Sequence, residues 1–208
     1  MRLRLVLLAA AALAALAPAA RAFPTAAQIR AAFLEIDVSH NGAINPEEWD
    51  RASFALFSAA DKNNDNFIDP SELAASAIAQ DTFLRADTDH DGRLSVGEFM
   101  ELRRAIFRIA DIDHDDNLTY VEYELLIVME HVGWVDRDHD GRIELSELKE
   151  SLVKAFDQLD TDHDGKLSPA EAVFMPAREF KKFDANHDGF LSSEEFVNGY
   201  RTALLGGN

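Results

Sequence analysis

The stretch DTDHDGRLSVGE, Asp87 to Glu98, sets three aspartates on alternate residues, follows them with Gly92 and ends in a glutamate. Carboxylates this close repel one another in water, so the run is either open to solvent or a ligand set for something positive. Nine residues recur almost unchanged at Asp160 to Ser168, with Lys166 in place of Arg93. The same twelve-residue pattern starts at Asp37, Asp61, Asp87, Asp111, Asp136, Asp160 and Asp184, at spacings of 24, 26, 24, 25, 24 and 24 residues. The other six units read DVSHNGAINPEE, DKNNDNFIDPSE, DIDHDDNLTYVE, DRDHDGRIELSE, DTDHDGKLSPAE and DANHDGFLSSEE. Aspartate first, Ile or Leu eighth and Glu twelfth are kept in all seven, a periodicity that marks a repeat architecture.

These units resemble the loops of the EF-hand family, and the resemblance runs from residue 29 to about residue 204. It implies calcium, a hard cation that takes six to eight oxygens, held by side chains at loop positions 1, 3 and 5, a backbone carbonyl at 7 and a bidentate carboxylate at 12. Carried onto this chain, position 1 is Asp37, Asp61, Asp87, Asp111, Asp136, Asp160 and Asp184. Position 3 is Ser39, Asn63, Asp89, Asp113, Asp138, Asp162 and Asn186, and position 5 is Asn41, Asp65, Asp91, Asp115, Asp140, Asp164 and Asp188. The position-7 carbonyls belong to Ala43, Phe67, Arg93, Asn117, Arg142, Lys166 and Phe190, and the closing glutamates are Glu48, Glu72, Glu98, Glu122, Glu147, Glu171 and Glu195. Up to seven Ca²⁺ are expected. Glutamate at every twelfth position favours calcium over magnesium, because the longer bidentate group suits the larger ion.

Position 6 requires a sharp turn, and five loops supply Gly42, Gly92, Gly141, Gly165 and Gly189. Loops 2 and 4 have Asn66 and Asp116 instead, side chains that tolerate the left-handed region, so both loops are expected to bind, more weakly. Counting carboxylates at positions 1, 3, 5, 9 and 12 ranks loop 5 highest, with Asp136, Asp138, Asp140, Glu144 and Glu147, and loop 1 lowest, with only Asp37 and Glu48. The closing glutamates also read as helix caps, since Ser95, Thr119, Ser168 and Ser192 each stand three residues ahead of one. Six of the seven histidines, His40, His90, His114, His139, His163 and His187, occupy position 4. That place points away from the ion, and the residues are read as solvent-facing spacers rather than transition-metal ligands. Asn117-Leu118-Thr119 matches a glycosylation acceptor but falls inside loop 4, where it is read as coincidence.

The segments between loops hold only 12 to 14 residues, with apolar groups at helical spacing, as in Leu148, Leu152, Phe156 and Leu159. The expected fold is all-α: consecutive loops joined by single shared helices, each about 20 Å long. Neighbouring loops then lie at opposite ends of one helix, so short β pairing through position 8 is expected between loop n and loop n+2. Phe33, Phe57, Phe83, Phe107, Phe156 and Phe180, with Val132, stand four residues ahead of the loops and read as core. Gly133 and Pro176 are expected to bend their linkers, with Gly133 a boundary between lobes 23–133 and 134–208.

Residues 1–22 read as a secretory signal peptide: a basic MRLR start, an apolar run from Leu5 to Ala17, Pro18, and Ala20-Arg21-Ala22 as cleavage site. The apolar run is too short to span a membrane. Loss of Arg2, Arg4 and Arg21 takes the formal charge from −18 to −21, which excludes nucleic acid as a natural partner and repels the chain from itself unless cations are bound. Absent cysteines leave an exported chain without disulfides, so any cross-linking of its loops must come from something else, such as metal. No nucleophile motif, phosphate loop or zinc-spaced cluster stands outside the repeats, so no enzyme activity is expected. The function expected is that of an exported calcium carrier, buffer or calcium-stabilised module, secreted or periplasmic. The alternative is a calcium-dependent sensor with a protein partner, for which Met100, Met129 and Met175 are scant material.

Overall fold

The computed structural model describes residues 23–74 and 80–205, and the leader expected at residues 1–22 lies outside the described residues. Among the described residues are nine helices and six two-residue strands. In order these are α1 (Ala26–Ile36), β1 (Ala43–Ile44), α2 (Pro46–Ala60), β2 (Phe67–Ile68), α3 (Pro70–Ala74), α4 (Gln80–Ala86), β3 (Leu94–Ser95) and α5 (Val96–Ala110). There follow β4 (Leu118–Thr119), α6 (Tyr120–Val132), α7 (Leu145–Leu159), β5 (Lys166–Leu167), α8 (Ala177–Phe183), β6 (Leu191–Ser192) and α9 (Ser193–Leu205). The fold is all-α, with strands only inside the repeats.

The starts of α2, α3, α5, α6, α7 and α9 are built into the ends of loops. The Asn45 side chain accepts the Glu48 N–H at 2.9 Å and Pro46 takes the first turn of α2, where its missing donor costs nothing. Thr119 caps α6 through the Glu122 N–H in the same way. Linkers one, three and five are then single 15-residue helices, α2, α5 and α7, as their length requires. In the fourth, α6 stops at Gly133, whose φ of +80° ends the helix while its N–H bonds the Met129 carbonyl at 2.7 Å.

Linker six does not follow the single-helix reading, and linker two is described only at its two ends. The second carries α3 and α4 at its two ends, and in the sixth α8 begins only after Pro176. Proline has no N–H to donate and its ring collides with the preceding turn, so a helix leaving loop 6 cannot run through it. The loops at the ends of both linkers lie side by side. Strands β2 and β3 pair antiparallel, Phe67 opposite Ser95 and Ile68 opposite Leu94. Strands β5 and β6 do likewise, Lys166 opposite Ser192 and Leu167 opposite Leu191. Loops 2 and 3, and loops 6 and 7, are therefore sequence neighbours that pair, which overturns the expected pairing of loop n with loop n+2. Loop 5 has no strand among the described residues.

The chain divides into two compact units, one of residues 31–107 and one of residues 23–30 with 108–205. Gly133 lies inside the second. The first unit is centred on Phe57, Ile68, Phe83, Leu94 and Phe99, with Leu73 and Met100 packed against them. In the second, α6, α7 and α9 pack on one another, and Phe196 meets Phe156 and Tyr200 with ring centroids 6.0 and 5.1 Å apart. Every position-8 residue is at most 1% exposed, and all six phenylalanines ahead of the loops are buried, with Val132. Burial of each such side chain contributes roughly 1.5–3 kcal/mol, so the repeat spacing places one apolar anchor four residues ahead of each acidic loop and one within it.

Candidate metal centres

Three hydrogen bonds recur in all seven loops and shape each into the same cradle. The position-6 N–H donates to the second carboxylate oxygen of the first aspartate at 2.9–3.2 Å, from Gly42, Asn66, Gly92, Asp116, Gly141, Gly165 and Gly189. The position-7 N–H donates to the side-chain oxygen at position 5, at 2.7–2.9 Å. The position-9 N–H donates to Oε2 of the closing glutamate at 2.8–3.2 Å. Oε1 of that glutamate reaches back to an N–H at position 2 or 3, for instance Ser39 at 2.9 Å and Ile112 at 3.0 Å. One carboxylate thus ties the first residues of the loop to the helix that leaves it. Backbone N–H groups neutralise part of the charge and aim the remaining lone pairs inward.

The backbone makes this turn with two left-handed residues per loop. Position 6 has φ between +62° and +91°, Asn66 and Asp116 included at +67° and +62°. A Cβ at Gly42, Gly92, Gly141, Gly165 or Gly189 would meet nothing within 4 Å. Glycine is favoured there by φ and not by crowding, so Asn66 and Asp116 keep the turn at a modest conformational cost. Position 4 is left-handed too, at +57° to +60° for the six histidines and +58° for Asn64. His and Asn are among the residues that best tolerate that region. The histidines are exposed, and backbone geometry accounts for their recurrence without any metal.

Carboxylate oxygens converge within 4.8 Å of one another in loops 2 to 5: Asp61, Asp65 and Glu72; Asp87, Asp89 and Glu98; Asp111, Asp113 and Glu122; Asp136, Asp138 and Glu147. Loop 5 holds a second such set on its surface, Asp138, Asp140 and Glu144. All donors are oxygens, and Oδ1 of Asp87 is buried without a hydrogen-bond partner. A desolvated anionic oxygen with no donor fits a hard dication and little else. In loop 1, Asp37 is joined only by Ser39, Asn41 and Glu48, two carboxylates in all.

Electrostatics separate loop 4 from the rest. Burial raises the Glu98 carboxyl, but bonds from Ser95, Asp89 and Thr88 outweigh it and pull the acid down to about 2. Bonds from the Ser168 and Thr161 groups hold Glu171 at about 2 as well. Burial instead pushes Asp111 and Glu122 up, because α6, which leaves loop 4, is buried almost all round. Burial therefore outweighs the hydrogen bonds at the closing glutamate of loop 4, and the hydrogen bonds outweigh burial at those of loops 3 and 6.

A family profile for the EF hand matches residues 29–53, 55–75, 79–102, 135–153, 152–171 and 177–199, more than half of the chain. The chain belongs to the EF-hand family. Six of its loops fall within those matches, and loop 4, Asp111 to Glu122, lies between them while sharing the three cradle hydrogen bonds. No curated protein matches the chain. No helix among the described residues is long and apolar enough to cross a membrane.

Some polar groups of this EF-hand chain escaped the sequence reading. Glu124 is buried on α6 and accepts the Tyr200 hydroxyl of α9 at 2.8 Å, with Tyr120 also close. Residues 76 apart meet there, and no local motif marks them. Arg93 and Lys166 were assigned only for their position-7 carbonyls, yet each side chain reaches a carboxylate of the neighbouring loop.

Proposed function

We propose that the chain is an exported, high-capacity calcium-binding protein, a carrier, buffer or calcium-stabilised module holding up to seven Ca²⁺, and not an enzyme. The observation that supports it best is the same hydrogen-bonded cradle in all seven loops, each closed by a glutamate. Position 1, 3 and 5 side chains, the position-7 carbonyl and the position-12 carboxylate supply the oxygens, with Ser95 as a further donor in loop 3. Seven dications would bring the charge of the leaderless chain from −21 to −7. Self-repulsion then opposes the compact state in the absence of metal and is relieved on binding, so calcium binding and compaction are one event.

Met129 and Met175 lie in the core, which favours a storage or structural role over a methionine-lined sensor groove. The expected leader supports export to the cell exterior or a periplasm, where free calcium is high enough to load modules with dissociation constants of roughly 10⁻⁴ to 10⁻³ M. Small-angle scattering and circular dichroism with calcium and then chelator test the reading. Expansion and loss of helix on chelation, reversed by calcium, are expected. Unchanged size and helicity would refute it, and a calcium-dependent hydrophobic-dye signal would favour the sensor.

A further inference from the structure

Both strand pairs carry the same cross-loop contact. In the first, the Arg93 guanidinium of loop 3 donates to Oδ2 of Asp65 in loop 2 at 2.8 Å and lies 3.8 Å from the centroid of the Phe67 ring. In the second, Nζ of Lys166 in loop 6 donates to Oδ2 of Asp188 in loop 7 at 2.8 Å and sits 5.2 Å from the centroid of Phe190. Each pair therefore joins a basic position 7 to an aromatic position 7 and an acidic position 5 across the strand ladder. The order is reversed between them: the cation belongs to the later loop in one pair and to the earlier loop in the other. Chain direction therefore does not impose the contact, and the position-7 residues account for it. The aspartate reached is in each case a position-5 oxygen donor of its cradle, its Oδ1 already accepting the Phe67 or Phe190 N–H at 2.9 Å.

We propose that Arg93 and Lys166 are affinity-setting positioning residues for the loops they face. Each places a fixed positive charge on the position-5 carboxylate of its partner loop. In the metal-free chain that charge offsets the repulsion among the partner's acids and, with the cation–aromatic contact, holds the two loops in register. The same charge lies beside a calcium donor and weakens binding at loops 2 and 7 relative to loops 3 and 6. The inference rests on the reading of these loops as calcium sites. Partly exposed ion pairs are worth little in water, so the effect is a tuning of affinity and not an on-off switch.

The experiment uses the full chain, as wild type, Arg93→Met, Arg93→Lys and Lys166→Met, each titrated with calcium alone while backbone amide resonances are followed. Asn66 and Gly92 report loops 2 and 3, whose first aspartates their N–H groups bond; Gly189 and Gly165 report loops 7 and 6. In Arg93→Met the Asn66 midpoint should fall about threefold to fivefold, the range an exposed pair can supply. The Gly92 midpoint should shift less than that of Asn66, and Arg93→Lys should restore most of the wild-type value. Lys166→Met should shift Gly189 more than Gly165. Metal-free melting supplies the second readout: both Met variants should melt lower than wild type at low salt, with the gap closing at high salt as screening removes the pair. Equal shifts at both amides of a pair, no shift, or a weaker Asn66 site would overturn the proposal, as would unchanged metal-free melting. If wild type shows no calcium-dependent shift at all, the calcium reading fails, and the melting comparison still decides whether the cations hold the pairs together.

Discussion

The hydroxyl of Tyr200 donates to Oε1 of Glu124 at 2.8 Å in the buried interior of the second unit, joining the helix that leaves loop 4 to the helix that leaves loop 7. Burial, with the charge of Glu179 nearby, pushes the Glu124 carboxyl up to about 8, against the bonds from Tyr200 and Tyr120. The folded chain therefore holds a proton that the unfolded chain, at the ordinary value of 4.5, releases. Between those values the native state binds more protons, so this group's contribution to stability is present below about 4.5 and is lost as pH rises towards 8. Metal-free wild type should lose stability relative to Glu124→Gln across that interval, by up to about 1.4 kcal/mol per pH unit. Parallel denaturant midpoints for the two chains from pH 5 to pH 8 would contradict this.

Loop 4 should be the most acid-sensitive of the central loops. Its Asp111 and Glu122 are raised by burial, whereas the closing acids of loops 3 and 6 lie near 2. Ligands must be ionised to hold a cation, so protons compete first where the acids are weakest. Calcium titrations at pH 7.5 and 5.5 on Glu122→Gln, Glu98→Gln and wild type check this. The pH-dependent loss of capacity should shrink in Glu122→Gln and persist in Glu98→Gln; the opposite pattern would contradict it.

Gly199 on α9 has no space for a side chain: a Cβ there would stand 2.3 Å from the Phe183 ring. Helix propensity favours alanine by roughly 1 kcal/mol, but overpacking typically costs 1–3 kcal/mol. Gly199→Ala should therefore lower the melting temperature of the calcium-loaded chain by several degrees, and Phe183→Leu should recover part of the loss. A stabilised Gly199→Ala chain would show that α8 and α9 do not approach this closely.

Trp49 and Trp134 report opposite ends of the affinity ranking. Trp49 follows Glu48 of loop 1, is buried, and donates its indole N–H to the Arg103 carbonyl at 2.8 Å with the Arg103 guanidinium 4.2 Å above the ring. Trp134 stands two residues ahead of Asp136, the first residue of the most acidic loop. Single-tryptophan chains should show an early calcium transition from Trp134 and a late one from Trp49. The reverse order would reject ligand charge as the control on affinity.

The loops were legible because their pattern lies in residue type at fixed offsets: the first aspartate and the closing glutamate, Asp87 and Glu98 in loop 3, recur in all seven units in register, with Asp, Asn or Ser at positions 3 and 5. Strand pairing was not, because it depends on whether a linker helix continues. Two signals pointed against straight linkers at these places, Pro176 and the longer 26-residue spacing between Asp61 and Asp87, but periodicity averaged over all seven units favoured unbroken helices. The histidines at position 4 looked like a chemical choice and are a backbone one, explained by φ near +58° at His40 and its equivalents. Glu124 with Tyr200, and Gly199 with Phe183, are contacts between elements that only the folded chain brings together.

The proposed function calls for calcium in all seven loops, loop 4 included. The number of Ca²⁺ bound per chain, counted by native mass spectrometry for wild type and for seven single variants with the closing glutamate changed to glutamine, tests it most directly. Seven ions on wild type at saturating calcium and six on each variant, Glu122→Gln among them, are the predicted result. A wild-type count of six that Glu122→Gln leaves unchanged would remove loop 4 from the set, and a count near zero would contradict the account altogether.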